Sequence, residues 1–121
     1  MLDYCYKRSF TNLGSSSKYS KKQNFDTISY LSSNPDENPF YNWNRAFVPY
    51  CDGSLHQGSR LLPISYKDRN LYFRGSNNTI AHFDFLSNNY NLFKASQIII
   101  TGTSAGGLAS FIWSNYVYER A

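Results

Sequence analysis

The sequence predicts an α/β fold: a mostly parallel sheet in a three-layer arrangement, on three observations. Short apolar runs alternate along the chain with stretches of helical periodicity. The best-defined run, Ile98-Ile99-Ile100, is three consecutive β-branched residues and reads as a strand buried on both faces. Directly after it, Gly102-Thr103-Ser104-Ala105-Gly106 fits the pattern G-x-S-x-G, in which a strand turns sharply into a helix and leaves a serine at the apex in a strained conformation. The flanking glycines are expected to be obligatory, because a Cβ there would collide across the tight turn; Gly107 extends the same glycine set.

Taken in chain order, residues 14–33 suggest a helix, with Phe25, Ile28 and Leu31 on its inner face. Asn34-Pro35 ends it, since the residue before proline avoids the α region. Arg45 to Tyr50 reads as a strand with Val48 inward, and Cys51-Asp52-Gly53-Ser54 as the loop at its carboxyl end. Ligands of open α/β sheets bind outside such strand ends, so Asp52, Gly53 and Ser54 are candidate pocket residues; they are equally ordinary turn chemistry. Leu61 to Tyr66 is a short edge segment, and Leu71 to Arg74 a strand end or turn. A helix is expected over about 78–92, a strand over 97–101, and a last helix carrying Leu108, Phe111, Ile112, Trp113, Tyr116 and Val117 at three- and four-residue steps.

The elbow defines a chemistry. A serine hydroxyl is a weak nucleophile until an imidazole takes its proton, and the turn holds the Ser104 oxygen clear of the backbone for an ester carbonyl to approach. The amide of Ala105, at the first turn of the helix, points toward the developing oxyanion and gains from the positive helix end. The partners are missing, however. Only Glu119 is acidic after Ser104, and both histidines, His56 and His82, lie upstream. His82 sits in a predicted amphipathic helix and His56 in a glycine-rich loop, so each is assigned a structural or solvent-exposed role. Alone, the chain is catalytically incomplete.

Composition excludes several classes. A chain that is 41% hydrophobic and 18% aromatic can build a core and is not disordered. Its net charge of +4 is concentrated in Lys7, Arg8, Lys18, Lys21 and Lys22. Those residues suit a solvated face or an anionic polysaccharide, and no nucleic-acid-binding fold accompanies them. Two cysteines and two histidines show no ligand spacing, so neither metal nor cofactor is expected. No apolar run approaches membrane-spanning length, and MLDYCYKRSF lacks the apolar core of a secretory signal; if the protein is secreted, Met1 is not expected to be its native start. Asn77-Asn78-Thr79 is a glycosylation sequon, placed in a loop before the predicted helix.

Further blocks carry a resemblance. Asn34-Pro35-Asp36, Phe40-Tyr41-Asn42-Trp43-Asn44-Arg45 and Val48-Pro49-Tyr50-Cys51-Asp52-Gly53-Ser54 resemble the core signature of pectin acetylesterases, relatives of the Notum-type carboxylesterases. Cys5 with Arg8 and Leu13-Gly14-Ser15-Ser16 resembles the family segment after its glycine-tryptophan oxyanion motif. Tyr72-Phe73-Arg74-Gly75 resembles its F-R-G element, and Gly102 to Leu108 its serine elbow. The resemblance implies an α/β-hydrolase-like fold of which residues 1–121 are the nucleophile-bearing part, truncated at both ends. It implies a secreted carboxylic ester hydrolase with Ser104 as nucleophile and Ala105 as oxyanion donor, removing acetyl groups from cell-wall polysaccharide. The glycine-tryptophan motif would precede Met1, and the acid and histidine would follow Ala121. The resemblance favours disulfides at Cys5 and Cys51, with their partners, inside or outside the chain, left open. Thr103, where a cysteine is common, and Trp113-Ser114, where plant-type members have His-Cys, depart from that disulfide pattern. Two alternatives stay open: a non-catalytic relic or binding module, and a Notum-like lipid deacylase. Oligomeric state is left open.

Overall fold

Three helices and one two-stranded antiparallel sheet form in the computed structural model, which describes residues 1–26 and 28–121. The chain divides into two units, Met1–Lys18 with Pro49–Ala121, and Tyr19–Val48. In the first, α1 spans Leu2–Arg8, β1 Ile64–Tyr66, β2 Arg69–Leu71, α2 Gly75–Tyr90 and α3 Ala105–Arg120.

Strands β1 and β2 pair antiparallel, Ile64 opposite Leu71 and Tyr66 opposite Arg69, around a two-residue turn that puts Lys67 at φ 55°. Lys67 and Asp68 carry none of the Asn-Gly signal that announces such a turn, which is why the sequence suggested only an edge segment. Side chains of α1 compensate. The Tyr6 hydroxyl donates to Asp68 at 2.7 Å, Lys67 pairs with Asp3 at 2.6 Å and lies 4.7 Å from the Tyr6 ring, and Arg69 lies 3.7 Å from the Phe10 ring.

Helix α2 begins three residues before the predicted 78 and stops at Tyr90, where Asn91 takes a left-handed conformation (φ 55°, ψ 37°) and its amide bonds the Leu86 and Ser87 carbonyls. Asparagine tolerates that conformation better than other non-glycine residues, so it caps the helix. Helix α3 matches its predicted start and packs on α2 through an aromatic cluster: Phe83 lies 5.6 Å from Tyr116 and 6.0 Å from Trp113. Arg120 pairs with Asp84 at 2.8 Å near the end of α3. Buried apolar side chains are few among the described residues: Leu71, Ala109 and Val117. Phe111 and Tyr118 of α3 remain 82% and 83% exposed.

Three expectations differ from what forms. The parallel three-layer sheet is not built by the described residues; their one ladder is the β1–β2 hairpin. The segments 97–101 and 45–50 form no strand and enter no ladder among the described residues. A β-branched run fixes extended backbone locally, whereas a strand also needs a neighbour for its amides and carbonyls.

The helix expected over 14–33 is absent as well; apart from Thr27, which lies outside the described residues, that stretch holds turns and one 3₁₀ turn at Ser29–Leu31. Short polar side chains compete for the backbone there: the Ser17 amide donates to Ser15 Oγ, Ser20 Oγ to the Lys22 carbonyl, and the Asp26 amide to Asn24 Oδ1. In the unit 19–48 the fully buried Asn38 does the organising. Its amide donates to the Ser32 carbonyl at 2.9 Å while its oxygen accepts the Phe40 amide at 3.0 Å. Phe25 and Phe47 stack at 4.6 Å, and Arg45 donates to the Leu31 carbonyl.

Candidate active site

Ser104 stands immediately before α3 with φ 55° and ψ −116°, a conformation that non-glycine residues rarely adopt. Its side chain makes no capping hydrogen bond and is exposed. The junction is tight. The Gly106 amide donates to the Thr103 carbonyl at 2.9 Å, and the Leu108 amide to the Ser104 carbonyl at 3.1 Å. A Cβ on Gly102 would lie 2.3 Å from the carbonyl carbon of Gly106, and one on Gly107 would lie 3.2 Å from the Gly102 oxygen. Gly102 is therefore obligatory for close passage of backbone on backbone. Gly106 differs from expectation: a Cβ there meets nothing within 4 Å among the described residues. Ala105 is the first residue of α3, and its amide is one of those an α-helix leaves without an intrahelical partner.

The other candidate residues sit in the turn 50–58. Asp52 and Gly53 line a cleft of about 220 Å³ that also includes Cys5, Cys51, Arg8 and Tyr72. Ser104 does not line it, so the described residues do not bring the two candidate groups together. Ser54 is not in that lining either. Its hydroxyl donates to Asp52 and accepts the amides of Gly58 at 3.0 Å and Gly75 at 3.3 Å. That saturates the oxygen and ties the turn to the start of α2. A Cβ on Gly75 would lie 2.6 Å from this same oxygen, which accounts for the glycine.

Both cysteines are free and half-buried. Burial, then the carboxylate of Asp52, pushes the Cys51 thiol above its usual range.

One histidine is buried and the other exposed. His56 is 8% exposed, and its ring stacks on Tyr50 at 5.0 Å. Burial pulls its pKa below 6.5, against an opposing pull from Asp52. His82 is exposed on α2, with Nδ1 2.6 Å from the Asn78 carbonyl one turn earlier. Neither bonds Ser104. Asn77 is exposed in the first turn of α2 rather than in a loop, and Thr79 of its sequon is buried with its hydroxyl on the His56 carbonyl at 3.5 Å. No trio of His, Cys, Asp or Glu side chains converges among the described residues, and no helix is long and apolar enough to cross a membrane.

Sequence reasoning missed the strained turn of this region and its link to α3. Leu55 and His56 are consecutive non-glycine residues at φ 56° and 59°, and Trp113 donates its indole N–H to the His56 carbonyl at 3.1 Å. Nothing in the spacing announces a bond between residues so far apart in sequence.

A sequence model of the family described as Pectinacetylesterase matches residues 1–120. The chain is 40% identical over 117 residues to pectin acetylesterase 5 of Arabidopsis thaliana, covering 96% of this chain and 26% of that protein. It is 36% identical over 120 residues to pectin acetylesterase 4 of the same plant, covering 98% and 28%. It is also 33% identical over 103 residues to the palmitoleoyl-protein carboxylesterase NOTUM of Schmidtea mediterranea, covering 84% and 18%. The chain thus spans about a quarter of the length of the plant relatives. No solved structure matches it.

Proposed function

Because the chain belongs to the pectinacetylesterase family, we propose that it supplies the nucleophile elbow of a serine carboxylic ester hydrolase acting on acetylated polysaccharide. The observation that carries this reading is the backbone of Ser104, strained at φ 55° and ψ −116° at the head of a 16-residue helix, with its hydroxyl exposed and making no cap bond. Strain of that kind persists only where the surroundings enforce it, and it concentrates at reactive groups. Ser104 Oγ attacks the acetyl carbonyl carbon and passes its proton to a general base. The oxyanion is held by the Ala105 amide, and the sugar hydroxyl leaves to give an acyl-serine. Water then attacks that ester and releases acetate, restoring the hydroxyl. The general base and its acid partner belong to parts of an α/β-hydrolase-like domain beyond the described residues, and the protein acts outside the cell. The near-complete exposure of Phe111 and Tyr118 on α3 supports a helix covered on more than one side in that larger domain.

A test is acetate release from acetylated pectin by the complete protein. Ser104→Ala is expected to abolish it, and full activity in that variant sinks the assignment. The non-catalytic reading draws support from the two histidines, since His56 is held in the turn by stacking and burial and His82 hydrogen-bonds within its own helix. Covalent labelling of Ser104 by a fluorophosphonate contradicts it. Parallel assays with acetyl and palmitoleoyl esters separate a polysaccharide deacetylase from a lipid deacylase, and preference for acetyl is expected.

A further inference from the structure

The geometry points to Trp113 as a positioning residue for Ser104, an inference that rests on the ester-hydrolase reading: its indole N–H, on the carbonyl of a strained turn, fixes the pitch of the helix that carries the elbow. Leu55 and His56 both hold positive φ, 56° and 59°, a pairing that survives only where neighbours over-determine it. They do so here. The Leu55 amide donates to the Tyr50 hydroxyl at 3.0 Å and the Gln57 amide to the Ser54 carbonyl at 3.0 Å, while the Tyr50 ring stacks on His56. The turn aims one carbonyl at both long helices. The oxygen of His56 accepts Trp113 Nε1–H of α3 at 3.1 Å and, more weakly, the Thr79 hydroxyl of α2 at 3.5 Å.

Trp113 lies roughly 14 Å along α3 from Ser104, and a helix transmits pitch over that distance with little bending. The other side-chain hydrogen bond reaching from α3 to another described element, Arg120 to Asp84, sits near the far end and is exposed. The contacts of Phe83 with Trp113 and Tyr116 are apolar and do not set direction. The indole bond is therefore the directional restraint nearer the elbow. Pitch decides where the Ala105 amide points, and so acts on the rate of acyl transfer rather than on substrate binding.

The experiment uses the complete protein, with p-nitrophenyl acetate turnover and the rate of fluorophosphonate labelling as readouts. Trp113→Phe keeps a ring and deletes the donor. Phe83→Leu loosens the same cluster and keeps the donor. Trp113→Phe is expected to lower kcat and the labelling rate by roughly 3- to 10-fold with KM unchanged, the loss one hydrogen bond represents. Phe83→Leu is expected to hold kcat within about twofold even where its melting temperature falls further. Wild-type kcat in Trp113→Phe, or equal losses in both variants in proportion to stability, overturns the inference. Tyr50→Phe removes the acceptor of the Leu55 amide without touching α3 and is expected to lower kcat in the same direction. A wild-type rate there overturns the inference even if Trp113→Phe does not fold. Absence of labelling in the wild-type protein overturns the ester-hydrolase reading itself, an outcome distinct from labelling that the variants leave unchanged.

Discussion

The turn at 50–58 and the elbow at 102–107 both hold non-glycine residues at positive φ beside a long helix, yet their surroundings treat them in opposite ways. In the turn, the amides of Leu55, Gln57 and Gly58, the hydroxyl of Ser54 and the carbonyl of His56 all have partners, and the His56 ring is stacked and buried. In the elbow, Gly102 passes close against the Gly106 backbone, and the Ser104 side chain makes no capping bond. Strain surrounded by satisfied groups is spent on architecture. Strain that ends in an exposed hydroxyl is what the proposed ester chemistry would draw on.

The largest expected effect separates those two uses. Ser104→Gly removes the hydroxyl, so it should abolish ester turnover by the complete protein, a loss of about 10⁴-fold or more, and it relieves the positive φ, which should raise stability by about 1 kcal/mol. Assay and thermal unfolding on one preparation check both halves. Next comes the backbone contact. Gly102→Ala should cost about 2–4 kcal/mol, since its Cβ must displace main chain. Gly106→Ala, with open space around it and a helical position, should be neutral or stabilising by up to about 1 kcal/mol. Urea midpoints of the two variants test the pair, and equal losses would show that a further element packs against Gly106.

In the turn, Ser54→Ala strips two amides of their acceptor and should destabilise by about 1–3 kcal/mol, read from the same denaturation curves. His56 links the turn to pH. Its folded pKa lies below 6.5 because burial disfavours the imidazolium, so the unfolded chain binds more protons there. Stability contributed by the neutral ring is complete above pH 6.5 and declines as pH falls from there through the folded pKa. Asparagine accepts left-handed backbone, so His56→Asn should flatten that part of the stability profile between pH 7 and 5. The smallest effect is expected from Asp84→Asn, which removes an exposed ion pair from the far end of α3 and should shift the urea midpoint little, and less still in high salt.

Much of the elbow was legible in the sequence because its determinants are local. A β-branched run, glycines at fixed offsets and an apolar helical period all act within a few residues of Ser104. The helix expected over 14–33 does not form because serine and asparagine side chains bond the backbone of that stretch and outweigh its apolar period. The hairpin was half seen, because a Lys-Asp turn succeeds only when α1 supplies Asp3 and Tyr6 as partners.

By itself, then, the sequence determined α3, its abrupt start at a glycine-flanked serine, α2 to within three residues at either end, and the family to which the blocks belong. Only the tertiary structure decided that Ser54 is saturated, that His56 is an inward structural group whose carbonyl serves two helices, and that Asp52 and Gly53 share a cleft with Cys5 and Cys51. The physical reason is range. Backbone conformation follows from steric and hydrogen-bonding preferences among near neighbours. Whether a polar group is spent or free depends on what distant segments bring against it, as Trp113 does to His56 across 57 positions of chain.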